Sequence, residues 1–140
     1  MVEFPYMELG AGIFRPIIAI GLSGPNARRV VDGLLDTGAD RTVFPQREAA
    51  IIGSQLPAGI DGNIKTAGGI LIPYRFGEVV LELRSSGTII RWKTSVAFAE
   101  SPLGVIHLGT RGFLEFFHCT FLGPEKKVRL VPCASLPAIP

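Results

Sequence analysis

Apolar residues come in short bursts along this 140-residue chain, each closed by glycine, proline or a polar turn. That is the pattern of strands joined by tight turns, and long stretches of i, i+3, i+4 spacing are lacking. Residues 1–12 carry no clear period, and Gly10 and Gly12 predict an irregular N-terminal arm. Phe14 to Leu22 reads as a strand ending at Ser23-Gly24-Pro25-Asn26, with Arg28 to Leu35 as its hairpin partner. Thr42 to Phe44 predicts a short strand stopped by Pro45, and Gln46 to Ile52 predicts one or two helical turns with proline at their start. Asp61 to Leu83 predicts a long hairpin that enters through Ile64 to Ala67 and turns at Gly68-Gly69. It returns through Ile70 to Ile72 and continues through Val79 to Leu83. Ser85-Ser86-Gly87 turns the chain into a strand over Ile89 to Ala99, where Trp92 reads as a core or interface residue. Val105 to Leu108 predicts a further strand. Phe113, Leu114, Phe116 and Phe117 predict a helix over Thr110 to Phe117, about two turns long. His118 to Leu122 and Lys127 to Val131 predict a closing hairpin around Gly123-Pro124-Glu125, and residues 132–140, with three prolines, read as a tail. Strand number and turn spacing predict an all-β domain, a small closed or sandwich-like barrel.

Composition sharpens this picture. With 17 Gly and 11 Pro, turns are frequent, as a β domain requires. Hydrophobic residues make up 47% and charged residues 19%, which predicts an apolar surface covered by a second subunit. The net charge of +2 is too small to indicate nucleic acid, and Arg28-Arg29 and Lys126-Lys127 are isolated pairs. Cys119 and Cys133 are the only cysteines and show no C-x-x-C spacing, so no metal site is expected and two free thiols in a reducing, cytoplasmic compartment are. The start lacks a signal-peptide pattern, and the longest apolar run, Pro16 to Leu22, is too short to span a bilayer, so no membrane partner is expected.

Candidate chemistry gathers at Leu34-Leu35-Asp36-Thr37-Gly38-Ala39-Asp40. A carboxylate directly behind two leucines costs free energy unless it is paired or hydrogen-bonded, and a turn of small residues offers backbone N–H groups to hold it. An ordinary strand-ending turn also uses Asp, Thr and Gly. Ser23, Ser54 and Ser101 have no nearby His and acid pattern, which argues against a serine hydrolase. His118 reads as a C-terminal helix cap, and His107 as a satisfied, partly buried residue.

The Asp36-Thr37-Gly38-Ala39 string resembles the active-site signature of the retropepsin-like aspartic proteases. Two further features occur in that family's order: the glycine-tipped hairpin at Gly68-Gly69, and Ile106 to Leu114, similar to the family's apolar-apolar-Gly element. Phe117 to Phe121 and Lys126 to Val131 resemble the protease domains of DNA-damage-inducible proteins and bacterial retropepsin homologues. The resemblance implies a closed acid-protease β barrel with one short C-terminal helix over residues 13–131, between an arm (1–12) and a Pro-rich tail (132–140). The sequence departs from the viral pattern in a reduced flap tip, in Arg41 where a second acid is common, and in His107 within an aliphatic strand.

That likeness implies an aspartic endopeptidase acting on peptide or protein substrates without a cofactor. Such chemistry holds a water between two carboxylates, one acting as base and the other, protonated, as acid. Two carboxylates in contact cannot both ionise, as aspartic proteases illustrate, so the pair shares a proton. One Asp-Thr-Gly per chain implies a homodimer with Asp36 from each subunit on the two-fold axis. By resemblance, Thr37 bonds across the axis and Gly38 accepts a hydrogen bond from substrate through its carbonyl. Ala39 completes the loop, Asp40 binds substrate backbone or an internal arginine, and Gly68 and Gly69 close as a flap. Plainer roles stay open: Thr37 and Gly38 as turn formers, Asp40 as a cap or surface ion pair, Gly68 and Gly69 as hairpin geometry. A non-catalytic dimerisation or peptide-binding module of the same fold is the alternative function.

Overall fold

The computed structural model describes residues 1–100, 105–137 and 139. Its strands are β1 (Val2–Pro5), β2 (Met7–Gly10), β3 (Ile13–Arg15), β4 (Ile17–Ser23), β5 (Arg28–Leu35) and β6 (Val43–Pro45), followed by helix α1 (Gln46–Ile52). Then come β7 (Gly62–Lys65), β8 (Leu71–Ser85), β9 (Thr88–Ala99), β10 (Ile106–Leu108), β11 (Phe117–Leu122) and β12 (Lys127–Pro132). Ser101 lies outside the described residues, as do Ala138 and Pro140 of the expected tail.

Strands β4, β5, β10, β6, β9 and β8 pair in that cyclic order, because β4 is bonded to β5 on one side and to β8 on the other. The all-β, closed architecture expected from the sequence is therefore present as a ring of strands, with β7 added outside β8. Closure removes the open edges that would otherwise leave backbone N–H and C=O groups unpaired. Inside the ring, Ile20, Leu22, Phe44, Leu81, Leu83, Trp92, Phe98 and Leu108 are fully buried. Each such side chain contributes about 1.5–3 kcal/mol of burial. Trp92 is a core residue: its Nε1–H donates to the Gly112 carbonyl at 3.0 Å, and its ring meets Phe113 and Phe117 edge-on.

Three local expectations differ from the structure. The helix expected over Thr110 to Phe117 is a single 3-10 turn, Leu114–Phe116, and among the described residues the α-helix is α1. Gly112 has φ +93°, a left-handed conformation that interrupts helical geometry, and Phe117 is already extended in β11. The i, i+3, i+4 aromatic spacing is satisfied instead by a turn and a strand start that bury Phe113, Phe116 and Phe117 together. His118 accordingly lies in β11 as an exposed strand residue, with no helix to cap. Residues 1–12 form two strands: β1 pairs antiparallel with β12, and β2 with β3. Glu3 anchors that pairing through Arg129 at 2.8 Å and Lys127 at 3.6 Å. The hydrogen bond from Arg129, with the nearby charge of Lys127, holds the Glu3 carboxyl below its ordinary range against the opposing effect of burial. The long expected strand Phe14 to Leu22 is split between β3 and β4 at Pro16, which has no N–H to give a ladder.

Helix α1 begins after Pro45 and ends at Gly53, whose φ of +80° lets its N–H bond the Ala49 carbonyl at 2.9 Å. Glu48 is buried on α1 and accepts two hydrogen bonds from Arg29, at 3.0 and 3.1 Å. Glu82 is the other buried carboxylate with basic partners: Arg28 at 2.6 Å, Arg84 at 3.0 Å and Arg91 at 3.2 Å surround it. Burial pushes the Glu82 carboxyl up, but the hydrogen bonds from Arg28 and Arg84 outweigh it and hold the group below its ordinary range. A carboxyl lowered on folding stabilises the native state above its unfolded value, about 4.3, and loses that contribution as pH falls through the lower folded value. Replacing Glu82 with Gln is expected to destabilise the fold at neutral pH by about 1–3 kcal/mol, because three cations lose their shared anion. Urea titrations of both proteins should show the difference shrinking once the solution is more acidic than about pH 4.

Candidate active site

Two apolar residues decide where Asp36 sits. Leu35 at the end of β5 and Leu108 at the end of β10 are both buried and stand at the same level of a parallel pair. The next residue, Asp36, leaves the core but stays tied to it: its N–H donates to the Leu108 carbonyl at 3.1 Å. The chain then turns on itself, with the Ala39 N–H bonding the Asp36 carbonyl at 3.2 Å and the Gly38 N–H donating to Asp36 Oδ1 at 2.8 Å. The turn thus supplies the backbone donor that an acid behind two leucines requires.

The segment after β10 passes directly beneath this loop. Thr110 N–H donates to the Ala39 carbonyl at 2.9 Å, Arg111 N–H to the Asp40 carbonyl at 3.0 Å, and Thr42 N–H to the Arg111 carbonyl at 2.9 Å. Such close backbone passage demands glycine at position 109: a Cβ there would lie 2.6 Å from the Ala39 carbonyl oxygen and would also meet that of Arg41. The element singled out in the sequence and the acid loop are therefore one laced unit.

The loop forms one wall of a groove enclosing about 630 Å³. Asp36, Gly38, Ala39, Asp40 and Arg41 line one side, and Lys65, Thr66, Ala67, Ile72 and Tyr74 of the β7–β8 hairpin line the other. Of the expected site residues, the structure brings Asp36, Gly38, Ala39 and Asp40 together on this groove. Thr37 is exposed beside it, and no hydrogen bond joins its hydroxyl to the described residues. Gly68 and Gly69 are at the hairpin tip, where Gly69 has φ +81° and donates its N–H to the Thr66 carbonyl at 2.9 Å. Thr66 and Ala67, just before the glycines, are the tip residues that reach the groove. Ile70 and Leu71 beyond the tip are exposed apolar residues.

One residue at the site was not selected from the sequence. His107 lines the groove, and its Nδ1 stands 3.0 Å from Asp36 Oδ2. It is satisfied and half-buried, as the sequence suggests, but its partner is the candidate catalytic acid itself. The available signal was strand alternation: with Leu108 inward, position 107 points to the opposite side. Arg41 is fixed differently, its guanidinium carbon 5.0 Å from the Phe76 ring centre and 5.8 Å from that of Tyr74.

No sequence-family model matches the chain. Among solved structures it is similar to the EIAV protease complexed with the inhibitor HBY-793, at 24% identity and a TM-score of 0.50. The likeness covers 68% of this chain and 81% of that one. At this level it shows the fold: the ring of strands is that of a retropepsin-like fold.

The tight passage at Gly109 gives a direct test of the site's construction. Gly109→Ala is expected to destabilise the protein by about 1–3 kcal/mol, since backbone carbonyls cannot move aside as side-chain ends do. Thermal melting read by circular dichroism should show the loss, and a melting temperature equal to wild type would contradict the packing described.

Proposed function

We propose that the chain is an aspartic endopeptidase of the retropepsin type, hydrolysing peptide bonds as a homodimer. The observation that carries this reading is a half-exposed Asp36, held by a backbone donor on one wall of a groove whose other wall is a glycine-tipped hairpin, in a retropepsin-like fold. A single carboxylate cannot serve as both base and acid, so a second Asp36 from another copy completes the site. One carboxylate takes a proton from the attacking water while the other, protonated, gives one to the scissile carbonyl oxygen.

The remaining residues take the roles the family resemblance assigns. Thr37, whose hydroxyl makes no hydrogen bond to the described residues, bonds across the two-fold axis. The Gly38 carbonyl and Asp40 hold the substrate backbone, with Ala39 shaping the loop between them. Gly68 and Gly69 allow the hairpin to close over a bound peptide and exclude water. The substrate is a peptide or protein, and no cofactor or metal takes part. Free thiols at Cys119 and Cys133 suit a cytoplasmic setting. No described helix is long and apolar enough to cross a membrane.

Asp36→Asn is expected to lower peptide cleavage by at least about 10²–10⁴-fold, the usual worth of a positioned proton-transfer group, with the melting temperature little changed. Undiminished cleavage would end the proposal. Because the site needs two chains, specific activity should fall on dilution in step with the dimer fraction seen by sedimentation. The rate should follow a bell in pH, since one carboxyl is protonated and one ionised, and a flat rate from about pH 4 to 9 would contradict it. Tight binding of a pepstatin-type inhibitor without cleavage of any peptide would instead identify a peptide-binding module.

A further inference from the structure

The contact between Asp36 and His107 carries a consequence for where the reaction's proton is kept. Asp36 Oδ1 faces the Gly38 N–H at 2.8 Å, a donor that can never accept. Oδ2 takes no backbone donor among the described residues, which leaves it open to a proton from a side chain. That oxygen is the one 3.0 Å from His107 Nδ1. The same hydrogen bond can hold the proton on either side, as carboxylic acid with imidazole or as carboxylate with imidazolium.

We infer that His107 is a positioning residue that shares the proton of Asp36 and so extends peptide hydrolysis to neutral pH. The inference rests on the proposed aspartic-protease reading and adds to it a residue outside the acid loop. Packing alone does not call for histidine here: its neighbours in β10, Ile106 and Leu108, are aliphatic, and His107 pairs with Leu34 of β5 and Val43 of β6. The charged and titratable groups facing the imidazole are Asp36 beyond β5, Asp40 and Arg41 on the loop leading to β6, and Lys65 and Tyr74 across the groove. Of these, Asp36 is the one within hydrogen-bonding distance.

Imidazole is the side chain whose charge ordinarily changes between about pH 5 and 8, whereas carboxyls have ordinarily lost their protons by then. In the reactive step the proton passes from Nδ1 to Oδ2, turning imidazolium and carboxylate into imidazole and carboxylic acid with no change in net charge. Oδ2 then gives the proton to the scissile carbonyl oxygen as the water oxygen bonds to the carbonyl carbon. The proton leaving the water goes to the carboxylate of the second subunit. The imidazole thereby places a further proton donor beside the carboxyls at neutral pH, in addition to the proton that the two carboxyls share.

Cleavage of a fluorogenic peptide by the full dimeric chain, followed from about pH 4 to 8, reads this directly. Two variants are compared with wild type: His107→Gln, which can hydrogen-bond but not titrate, and His107→Leu, which can do neither. Both should lose at least about tenfold in kcat/KM at neutral pH relative to their own value near pH 5, where they stay within severalfold of wild type. A variant profile parallel to wild type at every pH, whether equal or uniformly lowered, would overturn the inference while leaving the protease reading intact. Failure of the wild-type dimer to cut any peptide at any pH would overturn the protease reading and this inference with it. The two variants differ in shape and polarity, so misfolding of one, detected by its melting curve, leaves the other to decide.

Discussion

The whole site depends on burying Leu35 and Leu108 at the same level of a parallel strand pair. Neither leucine has an alternative: each ends a strand whose inward face is core, and slipping the pair by one residue would turn both outward. Once they are placed, Asp36 must emerge at the groove, and His107 must point away from Leu108 toward it. The chemistry is positioned by apolar packing, with hydrogen bonds fixing only the final orientation of the carboxylate.

Glycine at position 109 makes that arrangement continuous with the rest of the barrel. By letting one backbone pass against another, it lets three N–H groups from Thr42, Thr110 and Arg111 bind carbonyls across the crossing. The loop carrying Asp36 is therefore bonded into the sheet while its side chains stay at the groove. These bonds tether the backbone beneath a half-exposed acid.

Charged groups divide into two populations. Away from the groove, Glu82 and Glu48 are buried with arginines around them, and Glu3 ties the first strand to the last hairpin. On the groove, Arg41 rests over two aromatic rings, and Asp36 has imidazole and a backbone N–H as its partners. The charges away from the groove are neutralised by oppositely charged side chains, whereas those on it meet aromatic rings, an imidazole and a backbone N–H.

Much of this was legible in the sequence. Short apolar bursts between glycine and proline turns determine an all-β chain, and strands such as Arg28 to Leu35 and Ile89 to Ala99 fall close to where alternation places them, because alternation is local. The acid loop, the glycine hairpin and the apolar-apolar-Gly element could be singled out for the same reason: each carries its signal within a few residues. The edge strand β1 and the 3-10 turn at Leu114 could not be, since the first depends on a partner more than a hundred residues away and the second on where three aromatics find room in the core. That His107 meets Asp36 was decided by tertiary structure alone. A histidine in a strand is chemically silent in sequence, and only the parallel pairing of β10 with β5 sets its nitrogen against the acid.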